Sequence, residues 1–407
     1  MANLLSYIDW RGDLGMENAP FNEVDNLILA ELSFIDFSDI ICRRMTAHPD
    51  VTLREAGEEY FAKYAERSEE MGLIVPGKEI TGLLQRAMRS RRFGGMKLLS
   101  YTNVIDEVRE MQFSALAAEA EPGRIYIAFR GTDDTLIAWK EDFNLGFLES
   151  VPAQREAKNY VNRMAELYPK HRFILGGHSK GGNLAVYAGV KAESAVRARI
   201  DAVYNNDGPG FGTALIETPE HREMESRIHT IVPSSDVVGM LLRHEENYRV
   251  VRSDEYALRQ HDGFSWQVLG DRFVYADELS PKGRMAESVM RSFAAGLSPE
   301  ERKRFSELLF ELLGASKAKT LSELEKDGLR AILAVLRVHK EMSEEDRRLL
   351  SDCAGLLIRS GKEGLKELWE DEEYSLLRET FPKLGEAADK LEGKLQKLTH
   401  TKKKKED

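Results

Sequence analysis

The segment Gly177-His178-Ser179-Lys180-Gly181 fits the pattern G-x-S-x-G and is followed at once by Gly182. It comes after the apolar run "RFIL" and before the helix-forming run "NLAVYAGVKA". A strand that turns abruptly into a helix brings the residues two before and two after the turn into near contact, so that only glycines fit there. The serine at the apex is left strained, with a helix N-terminus behind it that favours developing negative charge. The chemistry expected of Ser179 is therefore nucleophilic attack on a carbonyl carbon, with formation of an acyl-enzyme.

A serine hydroxyl needs a base. Among the nine histidines, His261 in "RQHDGFSW" follows the strand pattern "YRVVRS" and so falls near the carboxyl edge of a sheet, where open α/β folds bind ligands. His244 is its rival. His178 adjoins the nucleophile on an extended segment, points to the other face and reads as structural; His229 lies within the strand pattern "RIHTIV" and reads as a core residue. The third member is a carboxylate that fixes the imidazole tautomer, and in hydrolases of this kind it falls between Ser and His in the chain. Two aspartates fit. Asp236 in "IVPSSDVVGMLL" is preferred because it directly follows "RIHTIV", and Asp207 in "VYNNDGPGFG", set among turn formers, is the alternative. Oxyanion donors are expected from the backbone of Lys180 and from the loop "IAFRGTDD" at Gly131 and Thr132, with the Thr132 hydroxyl as a third candidate.

The elements that must position these residues follow from periodicity. Residues 20 to 95 are helical in pattern, with Val24, Leu27, Ile28 and Leu32 on one stripe. The runs "GMKLLSYTNVID" and "EMQFSALAAEAEPGRIYIAFRG" read as strands with a turn at Pro122 and Gly123. After Arg130 apolar runs alternate with helical segments, which implies crossover units and a mainly parallel sheet buried on both faces. The expected class is α/β. The expected organisation is a main α/β domain over residues 1–282 with a helical N-terminal part to about residue 95, a helical region over 283–400 and a charged tail at 401–407. In the helical region Ser298, Pro299 and Glu301 form a capping box ahead of a Phe305, Leu308, Leu309, Leu312, Leu313 stripe.

Composition sets the outer limits. The chain has 407 residues, 42% of them hydrophobic and 31% charged, and a net charge of -11, which disfavours general nucleic-acid binding. The Lys402 to Lys405 run reads as a solvated tail. The first residues lack the pattern of a secretory signal, no apolar run approaches about 18 residues, and the two cysteines, Cys42 and Cys353, have no ligand spacing. A cytoplasmic protein without cofactor or metal is expected, acting on a small-molecule or lipid ester.

The combination of "YIAFRGTDD", Trp139, Asp142, "GGHSKGGNLA", a later Asp and a late His resembles the class 3, fungal-type lipases. It resembles still more closely a bacterial family of lipase-like α/β-hydrolases, through "DWRGDL", "FNEVDNLIL", "VGMLL" and "QHDGFSWQV". The resemblance covers roughly residues 1 to 270. It implies an α/β-hydrolase fold with ester-hydrolase chemistry, Ser179 as nucleophile, His261 as base, and Thr132 with Lys180 at the oxyanion site. Acyl transfer or amide hydrolysis on the same residues stays open, as does a binding protein that kept the fold without turnover.

Overall fold

Strand residues of this chain alternate between two cores. Along β4 (Arg124–Phe129), Ile125, Ile127 and Phe129 enter one cluster, while Tyr126 and Ala128 enter the other. Such strands need helices on both faces, and the computed structural model supplies them. It describes residues 1–41, 51–64, 77–133, 135–145, 148–235, 248–315, 319–320 and 337–370.

The N-terminal helices are α1 (Leu4–Arg11), α2 (Glu23–Leu32), α3 (Leu53–Tyr64), α4 (Gly77–Arg89) and the short α5 (Arg91–Gly94). They cover one face of the sheet, with Leu27, Ile28, Leu83 and Leu84 packed among Tyr101, Leu116 and Tyr126. Helix α2 starts cleanly because Asn22 and Asp25 form a reciprocal capping box. The opposite face is covered by α7 (Pro152–Leu167) and α8 (Lys180–Lys191), whose Tyr160, Val161 and Leu184 pack on Phe113, Ile127 and Phe173. Helix α6 (Leu136–Leu145) lies between β4 and α7 in the chain, and the short α9 (Ser194–Arg197), α10 (Thr213–Ile216) and α11 (Pro219–Met224) flank the later strands.

The strands are β1 (Val51–Thr52), β2 (Lys97–Asp106), β3 (Met111–Glu121), β4, β5 (Arg172–His178), β6 (Ile200–Asn206), β7 (Ile228–Pro233) and β8 (Arg249–Val251). Three pieces of two residues follow: β9 (Val268–Leu269), β10 (Arg272–Phe273) and β11 (Tyr275–Ala276). The main sheet runs β1-β2-β3-β4-β5-β6-β7-β8-β11. Pairing is parallel from β4 to β8 and antiparallel at both ends. The sheet is thus mainly parallel where the chemistry-bearing loops leave it. The turn at Gly123 has φ 79°, a value glycine adopts without cost. Strands β1 and β9 to β11 go beyond the sequence reading, because two residues carry no measurable period.

After the sheet come α12 (Pro281–Ala295), α13 (Pro299–Gly314) and α14 (Glu344–Glu370). The capping box at Ser298 and Glu301 forms as its spacing demands. The α13 stripe turns toward α6: Phe143 lies 5.8 Å from Phe305 between ring centroids, and Ser306 Oγ donates to Asn144 Oδ1 at 2.8 Å. Among the described residues no helix is long and apolar enough to cross a membrane.

Candidate active site

The turn from β5 to α8 is built from the glycines that mark it. A Cβ at Gly177 would overlap the Gly181 backbone, one at Gly181 would overlap the Phe129 carbonyl at the end of β4, and one at Gly182 would overlap Asn205 on β6. Close approach to the strands on either side thus fixes all three positions. Ser179 at the apex has φ 57° and ψ -131°, a strained backbone for a residue with a side chain, and it caps a helix whose first N–H groups have no intrahelical acceptor. The Ser179 N–H donates to Asn206 O at 2.9 Å, which joins the apex to the end of β6.

Asp207 follows directly. Its backbone is also left-handed, with φ 53°, and its N–H donates to Ile231 O on β7 at 2.8 Å. The side chain is fully buried, and its Oδ2 lies 2.7 Å from Nδ1 of His261. The loop "DGPG" leaves over the β5–α8 turn: a Cβ at Gly208 would overlap the Ser179 carbonyl, and Asn183 of α8 donates to Pro209 O and Gly210 O at 3.0 and 3.1 Å. His261 closes a short 3₁₀ turn (Ala257–His261) and is 4% exposed. Asp207, the alternative in the sequence reading, is thus the carboxylate beside His261. Asp236, the preferred one, and His244 lie outside the described residues, as does the 401–407 tail.

The Gly131–Thr132 loop touches the β5–α8 turn from the other side. A Cβ at Gly131 would sit 2.8 Å from His178 O and 3.3 Å from Ser179 Cβ. Arg130 braces this loop, with Nη2 donating to Asp133 Oδ2 and Asn103 Oδ1 at 3.1 Å each. The Thr132 hydroxyl donates to Asp142 Oδ2 on α6. A threonine has one O–H, so this donor is committed to Asp142.

Lys180 has a role that its place in the pattern did not announce. Its side chain is fully buried, and Nζ donates to Gln112 Oε1 at 2.6 Å and to Gln112 O at 3.2 Å. Nζ also lies 3.3 Å from Glu141 Oε2 and 3.8 Å from Asp142 Oδ1. Glu141 is held in turn by the N–H groups of Gln112 at 3.0 Å and Ala153 at 2.8 Å. Burial pushes the Asp142 carboxyl up to about 6, with the Lys180 ammonium and the Thr132 hydroxyl opposing it. Gln112 and Glu141 escape sequence reasoning because the contact joins residues far apart in the chain.

His178 packs against His261 and α2. Its ring stacks on His261, with centroids 4.7 Å apart, and its Nε2 lies 2.7 Å from the His261 carbonyl oxygen. Its Nδ1 lies 3.1 Å from Oε1 of Glu31, a fully buried carboxylate on α2. The sequence did hold a signal for Glu31: it occupies the next core-facing position after Val24, Leu27 and Ile28. Among the described residues no group of three or more His, Cys, Asp or Glu is placed to hold a metal ion.

Fold and site together define an α/β protein with a strained serine at a strand–helix turn and a buried His–Asp pair on the same sheet edge. A family model described as Mbeg1-like matches residues 87–311, more than half of the chain, and the chain belongs to that family. No curated protein matches it. Among solved structures it is similar to the Rhizomucor miehei lipase propeptide complex, at 19% identity over 39% of this chain and 57% of that one, with TM-score 0.28. The M37 lipase shares 13% identity over 53% and 68% of the two chains, with TM-score 0.34. Lipase II from Rhizopus niveus shares 15% over 55% and 85%, with TM-score 0.29. This chain therefore spans less than two thirds of the Rhizomucor lipase it matches.

Proposed function

We propose that this protein is a serine hydrolase that cleaves carboxylic esters through an acyl-enzyme, with Ser179 as nucleophile, His261 as general base and Asp207 as the carboxylate that orients the base. The hydrogen bond between Asp207 and His261 carries the reading, because it lies beside the loop that packs on the Ser179 turn. An ionised carboxylate only accepts, so Nδ1 carries the hydrogen and Nε2 is the basic nitrogen. His261 takes the Ser179 proton as the hydroxyl oxygen attacks the ester carbonyl. It then returns that proton to the leaving alcohol, and water repeats the cycle on the acyl-enzyme. The N–H groups of Lys180 and Thr132 are the donors for the oxyanion, the first at the positive end of α8. Lipid and small acyl esters both fit this chemistry.

The test is a fluorophosphonate probe together with p-nitrophenyl ester turnover. The parent protein is expected to label and to turn over, and Ser179→Ala to lose both while keeping its melting temperature. Labelling at a residue other than Ser179 sinks the assignment.

A further inference from the structure

We propose that Glu31 and His178 are positioning residues that share one proton and hold the base His261 in place from behind. The inference rests on the reading of His261 as general base and names residues outside the reacting set.

The proton count follows from donor chemistry. A carbonyl oxygen only accepts, so the 2.7 Å contact to His261 O requires a hydrogen on Nε2 of His178. Nδ1 of the same ring lies 3.1 Å from Oε1 of Glu31, an ion-pair distance without hydrogen-bond alignment. So close an approach is tolerable only when the pair carries one extra proton, either on the carboxyl of a neutral pair or on the ring of an ion pair. Without it a carboxylate would face an imidazole lone pair in a site shut off from water. The proton belongs to the pair and not to either residue.

The surroundings favour keeping it. Burial holds the Glu31 carboxyl well above the usual carboxylate range, and nearby Asp262 and Glu79 push the same way, with His261 opposing. Asp262 belongs to the His261 segment and Glu79 to α4; the Tyr126 hydroxyl of β4 also feels the Glu31 charge. Gly263 packs so close that an added Cβ would meet Oε1 at 2.8 Å, so the His261 segment lies directly against Glu31. The pair therefore anchors the His261 main chain through the carbonyl and its ring through the 4.7 Å stack. Loss of the proton at alkaline pH leaves the ring one hydrogen for two acceptors, so His178 keeps only one of its contacts to Glu31 and His261.

Three variants and one spectrum test this. Glu31→Gln keeps an N–H donor toward Nδ1 that cannot ionise. It is expected to retain turnover within about twofold and to extend the alkaline plateau of kcat, whereas Glu31→Ala is expected to lower kcat by about 100-fold, the size of an ångström-scale misplacement, with KM nearly unchanged. Equal losses in both variants, or no loss in Glu31→Ala, overturn the proposal. Nitrogen-15 histidine spectra of the full chain give a readout independent of turnover. His178 should keep its Nε2 hydrogen without titrating between about pH 5 and about pH 9 in the parent, and titrate in Glu31→Ala. Free titration in the parent overturns the pair even if the protein proves not to be an esterase. Failure of the hydrolase reading shows separately, as an unlabelled parent indistinguishable from Ser179→Ala.

Discussion

Asp207 Oδ2 and His261 Nδ1 are 2.7 Å apart, although 54 residues separate them in the chain. The contact requires Asp207 to take a left-handed backbone at the end of β6, with its N–H tied to β7. Strain of this kind persists where the surrounding structure over-determines it, and here the orientation of a buried imidazole depends on it.

Asp207→Asn should therefore lower kcat by about 10⁴, the size seen when the triad tautomer is wrong, with the fold intact. Asp236→Asn should leave kcat within a few-fold of the parent. Steady-state ester kinetics on both variants decide the matter, and the opposite ranking returns the role to Asp236.

The β5–α8 turn was legible because its cause is local: the six residues from Gly177 to Gly182 must fit between β4 and β6, and glycine is the only residue that fits at three of them. Asp207 was harder to choose because both aspartates follow a strand, and "DGPG" reads as a turn whether or not its first residue orients a base. Long-range burial hid the rest. Nothing near Lys180 in sequence announces that Gln112 and Glu141 surround its ammonium.

Gly181→Ala tests the steric account. The added methyl overlaps the Phe129 carbonyl, which is backbone in the sheet and cannot rotate away. A loss of about 3 kcal/mol is expected, at the upper end for overpacking. Gly212→Ala, where an added Cβ meets nothing within 4 Å, serves as the control. Chemical denaturation of the two proteins gives the comparison, and equal midpoints refute the close approach.

Lys180→Met removes the buried cation and leaves Glu141 and Asp142 without their counter-charge. Breaking a buried pair in this way costs about 3 kcal/mol or more. The Asp142 carboxyl, already pushed up to about 6 by burial, moves higher once Lys180 no longer opposes that push. The acid limb of kcat/KM should shift to higher pH in the variant. An unchanged limb separates Asp142 from catalysis.

Asp262 gives a stability test with a definite sign. Burial raises its carboxyl to about 6 from an ordinary 3.8. A raised folded value favours the protonated form, so the contribution to stability is complete below about pH 4 and is lost as pH rises through about 6. Asp262→Asn keeps an acceptor for the Phe264 N–H and removes the ionisation. The variant should gain on the parent at pH 8 relative to pH 4, by at most about 3 kcal/mol and less for a partly exposed carboxyl. Melting curves at the two pH values measure it, and a gain larger at pH 4 contradicts the sign.

The last prediction concerns α6, which faces two ways. Glu141 and Asp142 meet Lys180 and Thr132 on the side of the serine turn, while the next two residues, Phe143 and Asn144, meet Phe305 and Ser306 of α13. A rigid helix cannot move on one side alone, so the packing of α13 bears on the loop that carries Thr132. Phe305→Ala deletes a ring 5.8 Å from Phe143 and 6.1 Å from Phe293, and should cost about 3 kcal/mol as a large-to-small change in a buried cluster. Ser306→Ala removes one hydrogen bond, for about 1 kcal/mol. Both should also lower kcat with little change in KM, at a temperature well below either melting point, because Asp142 is displaced and not the substrate contacts. If melting falls while kcat stays at the parent value in both variants, α13 braces the fold without reaching the Thr132 loop.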